Sequence, residues 1–344
     1  EVDGIVAGNM AQASFDAYFL PRHVGLYAGV NPNVPAVLVQ RLCGTGFETI
    51  LNAADQITLG KAGVVLCVGT ESMSRNPIAA YTHRAGFRMG QVDFRDFLWE
   101  ATKDTAPAAS MGDTAENLAR RYGIGREEVD RFAAQSFARA LAGWESGYFD
   151  GEVCAVTNAS WTLDGYQPRG LKLADRVERV ERDGHVRPTS LETLQKLKPA
   201  FGGVQTGGNS SGIVDGAAAV IVARGDWVRA HGLVPLARIV AGAAVAVPPE
   251  IMGIGPAPAI RAAARAAGLG VGDFGRIEIN EAFGAQYLAC ERELGLDRDK
   301  VNVHGGAIAI GHPLGTSGVR LTTTVARELK EAGLRVKRPA TDFR

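Results

Sequence analysis

Short apolar runs alternate with stretches of helical spacing over the first 74 residues. Residues 2–7 are short and apolar, 22–29 read as helix, and 35–40 form a strand ending at Cys43-Gly44-Thr45-Gly46. From 47 to 60, Phe47, Ile50, Leu51, Ala54 and Ile57 return at helical spacing, and 64–68 is a near-continuous apolar run. Runs without polar alternation fit strands covered on both faces, so the pattern predicts β-α-β with a parallel sheet. The rhythm breaks over 75–205, which is richer in charge, aromatics and Pro and reads as an inserted cap. That insert carries helical patterns over 114–122 and 127–146 and a charged, exposed stretch over 175–189. The rhythm then resumes with strands over 217–222 and 235–247, a helix over 256–267, a strand over 276–279, a strand from 301 and a helix over 317–332. Two strand, Gly-turn, helix units close on Lys61-Ala62-Gly63 and Glu331-Ala332-Gly333, and they predict a duplicated α/β architecture.

Composition narrows the picture. The 344 residues suggest about two domains at roughly 150 residues each. With 37 basic and 37 acidic side chains, the chain lacks the basic excess of a nucleic-acid binder. No apolar run reaches the ~20 residues of a membrane span, so no membrane partner is expected. The four cysteines, Cys43, Cys67, Cys154 and Cys290, form no CxxC pair, and no His stands at zinc-ligand spacing from them. No metal site or disulfide framework is therefore expected, and the cytoplasm or another reducing compartment is. The opening Glu1-Val2-Asp3-Gly4 resembles the interior of a longer protein, which leaves a targeting segment open.

Four places offer chemistry. Cys43 lies between a strand and a helix, where free N–H groups and a positive helix end favour a thiolate and an acyl oxyanion. Its glycine neighbours leave room for a substrate; the alternative is a buried cysteine packing as a small hydrophobe. Cys67 and Cys290 sit in an apolar strand and an apolar helix face and read as structural. His312, in a turn among small residues, is placed to activate a nucleophile, whereas His304 sits within a strand. Asn280-Glu281 follows an apolar strand, where α/β sites form, or Asn280 simply caps a helix. The loop from Thr206 to Gly212 allows close ligand approach or is a flexible turn; it lacks the context of a dinucleotide or P-loop site.

Taken in order, these segments resemble the thiolase family. The resemblance rests on Cys43-Gly44-Thr45-Gly46, Met111-Gly112 with Ala115-Glu116-Asn117, and Lys198-Pro199-Ala200-Phe201. It continues through Gly208-Asn209-Ser210-Ser211-Gly212, Asp215-Gly216-Ala217-Ala218, Asn280-Glu281-Ala282-Phe283, and Gly305-Gly306-Ala307-Ile308-Ala309 with Gly311-His312-Pro313-Leu314-Gly315. It implies an α/β fold, a duplicated five-layered α-β-α-β-α sandwich with an inserted loop domain. Residues 1–74 with 206–225 would form the N-terminal half, 75–205 the insert, and 226–344 a C-terminal half that is truncated or divergent at its end. The implied activity is acyl transfer between coenzyme A thioesters, as acetyl-CoA condensation or 3-ketoacyl-CoA thiolysis. The resemblance makes Cys43 the acyl-carrying nucleophile, His312 its activator, and Asn280 the holder of a water in the oxyanion hole. Ser211, Met111, Ala282, Phe283 and Arg187 would line the coenzyme A site. It implies acyl-CoA as substrate, no permanently bound cofactor, and a homodimer or homotetramer.

Two departures qualify it. The family's second catalytic Cys lies in a Cys-x-Gly-Gly motif, and by spacing Asp342 falls about where that Cys would be. Ser110 stands where many biosynthetic members carry His. The alternative to an active thiolase is therefore a catalytically impaired homologue that binds acyl-CoA or a protein partner. A ketoacyl synthase-like enzyme would need two histidines with its Cys, and here only His304 and His312 are close, in one motif. Against the family plan the chain is short at both ends.

Overall fold

The computed structural model describes residues 2–81, 83–174 and 176–334. Its main sheet holds β1 (Gly4–Gly8), β2 (Ala36–Val39), β3 (Val64–Ser72) and β4 (Asp215–Ala223) in the order β4-β3-β1-β2. Strand β1 pairs in parallel with both β2 and β3. Its five residues are all buried, as a central parallel strand requires. The β-α-β of the first 74 residues is parallel as expected, and strand β4 joins it antiparallel to β3, from Asp215 opposite Ser72 to Ala223 opposite Val64, so the whole sheet is mixed.

Helix α1 (Leu20–Tyr27) joins β1 to β2, and α2 (Thr45–Thr58) joins β2 to β3. The insert between β3 and β4 carries α3 (Met111–Tyr122) and α4 (Arg126–Glu145), with short hairpins such as Ala159–Trp161 against Arg169–Leu171. Helix α3 starts on a capping box between Ser110 and Asp113 and stops at left-handed Gly123. After β4 come α5 (Pro256–Ala266), α6 (Gly284–Leu294), the short α7 (Ala307–Ile310) and α8 (Leu314–Glu331). The two largest apolar cores among the described residues draw on these elements. One gathers Val6, Ile50, Ala53, Val65, Cys67 and Val319; the other gathers Leu118, Phe132, Phe137, Tyr287, Leu288, Cys290 and Ile308. Cys67 and Cys290 are packing residues, as expected.

Helix α8 crosses α2 at Gly46 and Gly318. A Cβ on Gly46 would lie 2.6 Å from the Val319 nitrogen, and one on Gly318 would strike the Phe47 backbone. Gly46 therefore serves helix packing, where the sequence suggested room for a substrate. Backbone cannot yield as a side-chain tip does, so Gly318→Ala should cost about 3 kcal/mol of stability or more. Chemical denaturation of the purified variant checks this.

Two expected strands do not form. Residues 235–247 join no ladder among the described residues, and Leu236, Ile239 and Val240 are exposed. Strand propensity is realised only against a partner, and here Gly242 instead lies against Leu51 of α2. The expected strand at 276–279 is reduced to one parallel bridge, Ile277 to Val301, and the strand from 301 stops there too. Asn302 turns into the left-handed region at φ 47°, and its side chain takes over the ladder, accepting from Ile279 N at 2.9 Å and donating to Ile279 O at 2.8 Å. His304 therefore lies in a turn, stacked on Tyr148 with ring centroids 3.6 Å apart.

Candidate active site

The duplicated turn places Cys43. Leu42, at φ 45°, bends the chain just before it, as Asn302 does in the second half. Thr45 holds the bend: its Oγ1 accepts from Arg41 N at 2.8 Å and donates to Leu42 O at 2.6 Å. Helix α2 then starts two residues after the cysteine. The expected fall in the thiol pKa is not found. Burial pushes the Cys43 thiol up to about 11, and the Glu71 carboxylate pushes the same way, against a backbone hydrogen bond. Desolvation outweighs the helix end here, so Cys43 rests as a neutral thiol.

Glu71 is a residue that motif reasoning missed. Only 2% exposed, its carboxylate accepts from Met10 N, Ala11 N and Gly315 N, each at 3.0 Å. Met10 and Ala11 pack with Met73 and Leu314, and Cys43 packs against that cluster. One buried acid thus ties the Cys43 surroundings to the start of α8, three residues beyond His312. Its signal was a glutamate shortly after the apolar run 64–68, within the same strand.

His312 is 4% exposed. Its backbone N donates to Gly212 O at 3.0 Å, its Nδ1 meets Ser317 Oγ at 2.6 Å, and Asn280 Nδ2 donates to its Nε2 at 3.2 Å. Burial, reinforced by the Arg320 charge, pulls its pKa down to about 4. The imidazole is neutral at pH 7 and available as a base. Asn280 caps no helix, because α6 begins at Gly284, and its buried Oδ1 has no partner among the described residues.

The loop from Thr206 to Gly212 is not a flexible turn. Fully buried Asn209 accepts from Thr206 N and donates to Asp130 Oδ1, both at 2.7 Å, and Arg126 pairs with Asp130. Gly284 N donates to Asn209 O at 2.9 Å, and Ser211 N donates to Ala282 O at 3.0 Å. Phe201 meets Phe283 edge-on at 6.0 Å and lies flat against Gly112, beside Met111. Met111, Ser211, Ala282 and Phe283 are therefore drawn around one apolar wall. Arg187 is exposed, with its guanidinium 5.2 Å from the Phe137 ring and bonded to His185 O. His185, also missed from sequence, donates to Ala309 O at 2.9 Å and lies against Gly212. It helps line a cleft of about 390 Å³ with Ser74, Gly184, Ile213, Val214 and Asp215. Asp342 lies outside the described residues. Among the described residues no cluster of His, Cys, Asp and Glu is arranged to hold a metal ion, and no helix is long and apolar enough to cross a membrane.

Residues 1–226 match the family model of the thiolase N-terminal domain, and residues 233–338 match that of the thiolase C-terminal domain. The chain belongs to the thiolase family. It is 45% identical to the mitochondrial 3-ketoacyl-CoA thiolase of Homo sapiens over 96% of its own length and 81% of that protein's. It is 39% identical to the β-ketoadipyl-CoA thiolase of Pseudomonas putida, over 97% and 82% of the two chains. The crystal structure of the human mitochondrial enzyme in complex with CoA superimposes with a TM-score of 0.89 at 44% identity, covering 96% of this chain and 81% of that one. The acetyl-CoA acetyltransferase of Bacillus anthracis gives 0.88 at 41% identity, over 97% and 82%. This thiolase is thus an acyltransferase that moves acyl groups between coenzyme A thioesters, on the thiolase fold that the motifs implied.

Proposed function

We propose that Cys43 carries the acyl group, with His312 as its base and Asn280 as the holder of an oxyanion-hole water. A neutral imidazole takes the Sγ proton as sulfur attacks the thioester carbonyl. The tetrahedral oxyanion is stabilised by the donors around Asn280 and His312. When the bond from carbonyl carbon to coenzyme A sulfur breaks, the leaving thiolate recovers the proton from the imidazolium. Free coenzyme A and acyl-Cys43 result, ready for transfer to a second thiol or to an enolate. The observation that carries this reading is a half-buried neutral thiol and a buried neutral imidazole in segments drawn together by Glu71, which accepts from Gly315 N, and by Leu314, in the cluster that Cys43 packs against.

Thioester exchange is redox-neutral, so the step calls for no permanent cofactor. Ser211, Met111, Ala282, Phe283 and Arg187 would line the coenzyme A site, under a cap formed by 75–205. On this reading 1–74 with 206–225 and 226–344 are the two family halves. The four free cysteines suit a reducing compartment such as the cytoplasm. Mixing the protein with acetyl-CoA should release a burst of free coenzyme A of about one per chain; absence of a burst would count against the reading.

A homodimer or homotetramer is part of the same proposal. Phe15 (94% exposed) and Tyr18 (68%) stand out with Phe19, and Leu42 and Phe47 flank Cys43 at the surface. Apolar exposure of this kind supports an interface between chains. Light scattering on the eluting protein should give the mass of two or four chains, and a monomeric mass would contradict it.

A further inference from the structure

We infer that Glu71 is a positioning residue that sets the reach between the Cys43 thiol and the His312 imidazole. This rests on Cys43 and His312 being nucleophile and base. The partners of the Glu71 carboxylate come from two distant parts of the chain. Oε2 accepts from Met10 N and Gly315 N, and Oε1 accepts from Ala11 N, each at 3.0 Å. All three partners are backbone N–H groups, so their role as donors is fixed, and a carboxylate is the form they hold. Burial raises the Glu71 pKa, and the three N–H groups pull it back. At 2% exposure the acid holds the two segments at a set spacing, with little water to loosen the bonds.

Each segment leads to one of the reacting groups. On one side, Met10 and Ala11 follow the end of β1, where a Cβ on Gly8 would lie 2.4 Å from Thr45 Cγ2. Thr45 is the residue whose hydroxyl holds the bend at Cys43. Asn9 Nδ2 fastens the same stretch to Thr70 O at 2.9 Å. On the other side, Gly315 lies three residues after His312, in the first turn of α8. Its approach to Glu71 depends on its lacking a side chain: a Cβ there would lie 3.1 Å from Thr70 O and 3.2 Å from both Glu71 Oε2 and Met10 N. Gly69 closes the contact from β3, because its own Cβ would lie 2.5 Å from Gly315 O. Strand β3 and helix α8 thus meet backbone to backbone, with the Glu71 carboxylate in the join. A misplacement of about 1 Å between reacting groups costs on the order of a hundredfold in rate, so this join bears on the chemistry as well as on packing.

The test is a double-mutant cycle on the full chain, read as the acylation rate from coenzyme A release. Glu71→Gln sets an amide donor against a backbone donor. It should slow acylation about tenfold to hundredfold and leave acetyl-CoA affinity unchanged. In a His312→Ala background there is no imidazole to misplace, and the Cys43 thiolate carries the reaction. There Glu71→Gln should leave the rate unchanged or raise it, because burial and then the Glu71 charge hold the thiol protonated, and the substitution removes the second. Gly315→Ala keeps the charge and presses α8 away from Glu71 by a few tenths of an ångström. It should slow acylation only where His312 is present, and it carries the test if Glu71→Gln does not fold. A merely structural glutamate would cost the same factor in both backgrounds. That result, or full-rate acylation in the folded variant, would overturn the inference. A His312→Ala protein that acylates as fast as wild type would overturn the base assignment, and this inference with it.

Discussion

Replacing His312 by Ala should slow acylation of Cys43 by about 10²–10⁴-fold at neutral pH, equivalent to ~3–5 kcal/mol of barrier. The shape of the pH profile is the sharper part of the result. His312 titrates at about 4 and is a free base above that; Cys43 titrates at about 11 and stays a thiol below that. The reactive pair, neutral thiol with neutral imidazole, therefore dominates across the whole interval. The wild-type rate should be flat over about pH 6 to 9. Without the imidazole only the thiolate reacts, a fraction of about 10⁻⁴ at pH 7 that grows tenfold per pH unit. The variant's rate should climb with unit slope over the same range. Stopped-flow release of coenzyme A at constant ionic strength measures both curves. A sloping wild-type profile would show that burial does not hold the thiol protonated.

Replacing Cys43 by Ser should remove the coenzyme A burst. A serine hydroxyl is far less acidic and less nucleophilic toward a thioester than a thiol, and this site was built around a thiol that is already hard to ionise. The expected loss is larger than for His312, because no other described group replaces the sulfur: Cys67 and Cys290 are buried in the two cores. Binding should survive. The variant should retain acetyl-CoA affinity and thermal stability close to wild type, since the hydroxyl fits the same turn held by Thr45. Calorimetry of acetyl-CoA binding and a melting curve separate lost chemistry from lost fold.

The sequence made the local elements readable where periodicity alone decides them. Helices α2, α3, α4, α5 and α8, and strands β2, β3 and β4, all lie within a few residues of their expected positions. The parallel direction of β1, β2 and β3 was readable from the β-α-β rhythm, whereas the antiparallel docking of β4 on β3 was not, because they meet through contacts that sequence order does not encode. Residues 235–247 carry a strand pattern yet take no partner, and Asn302 ends a strand through a backbone angle that apolar patterning does not reveal. In the site, the motif residues Cys43, His312 and Asn280 were visible as polar groups in small-residue turns. Their supports were not. Glu71 reaches Gly315 across most of the chain, and His185 reaches Ala309 from the insert, so only the fold brings them into contact. The thiol pKa ran opposite to the local reading for the same reason. A helix end is visible in sequence, whereas the burial that outweighs it is a property of the packed molecule.

The acyl-enzyme itself is the most direct test. The protein is mixed with acetyl-CoA, quenched in acid and digested, and the peptides are read by mass spectrometry. The account predicts one acetyl group per chain, on the peptide containing Cys43, labile to thiols and absent from Cys43→Ala. An acetyl group on Cys67, Cys154 or Cys290 instead, or an unmodified Cys43 after coenzyme A has been released, would contradict it.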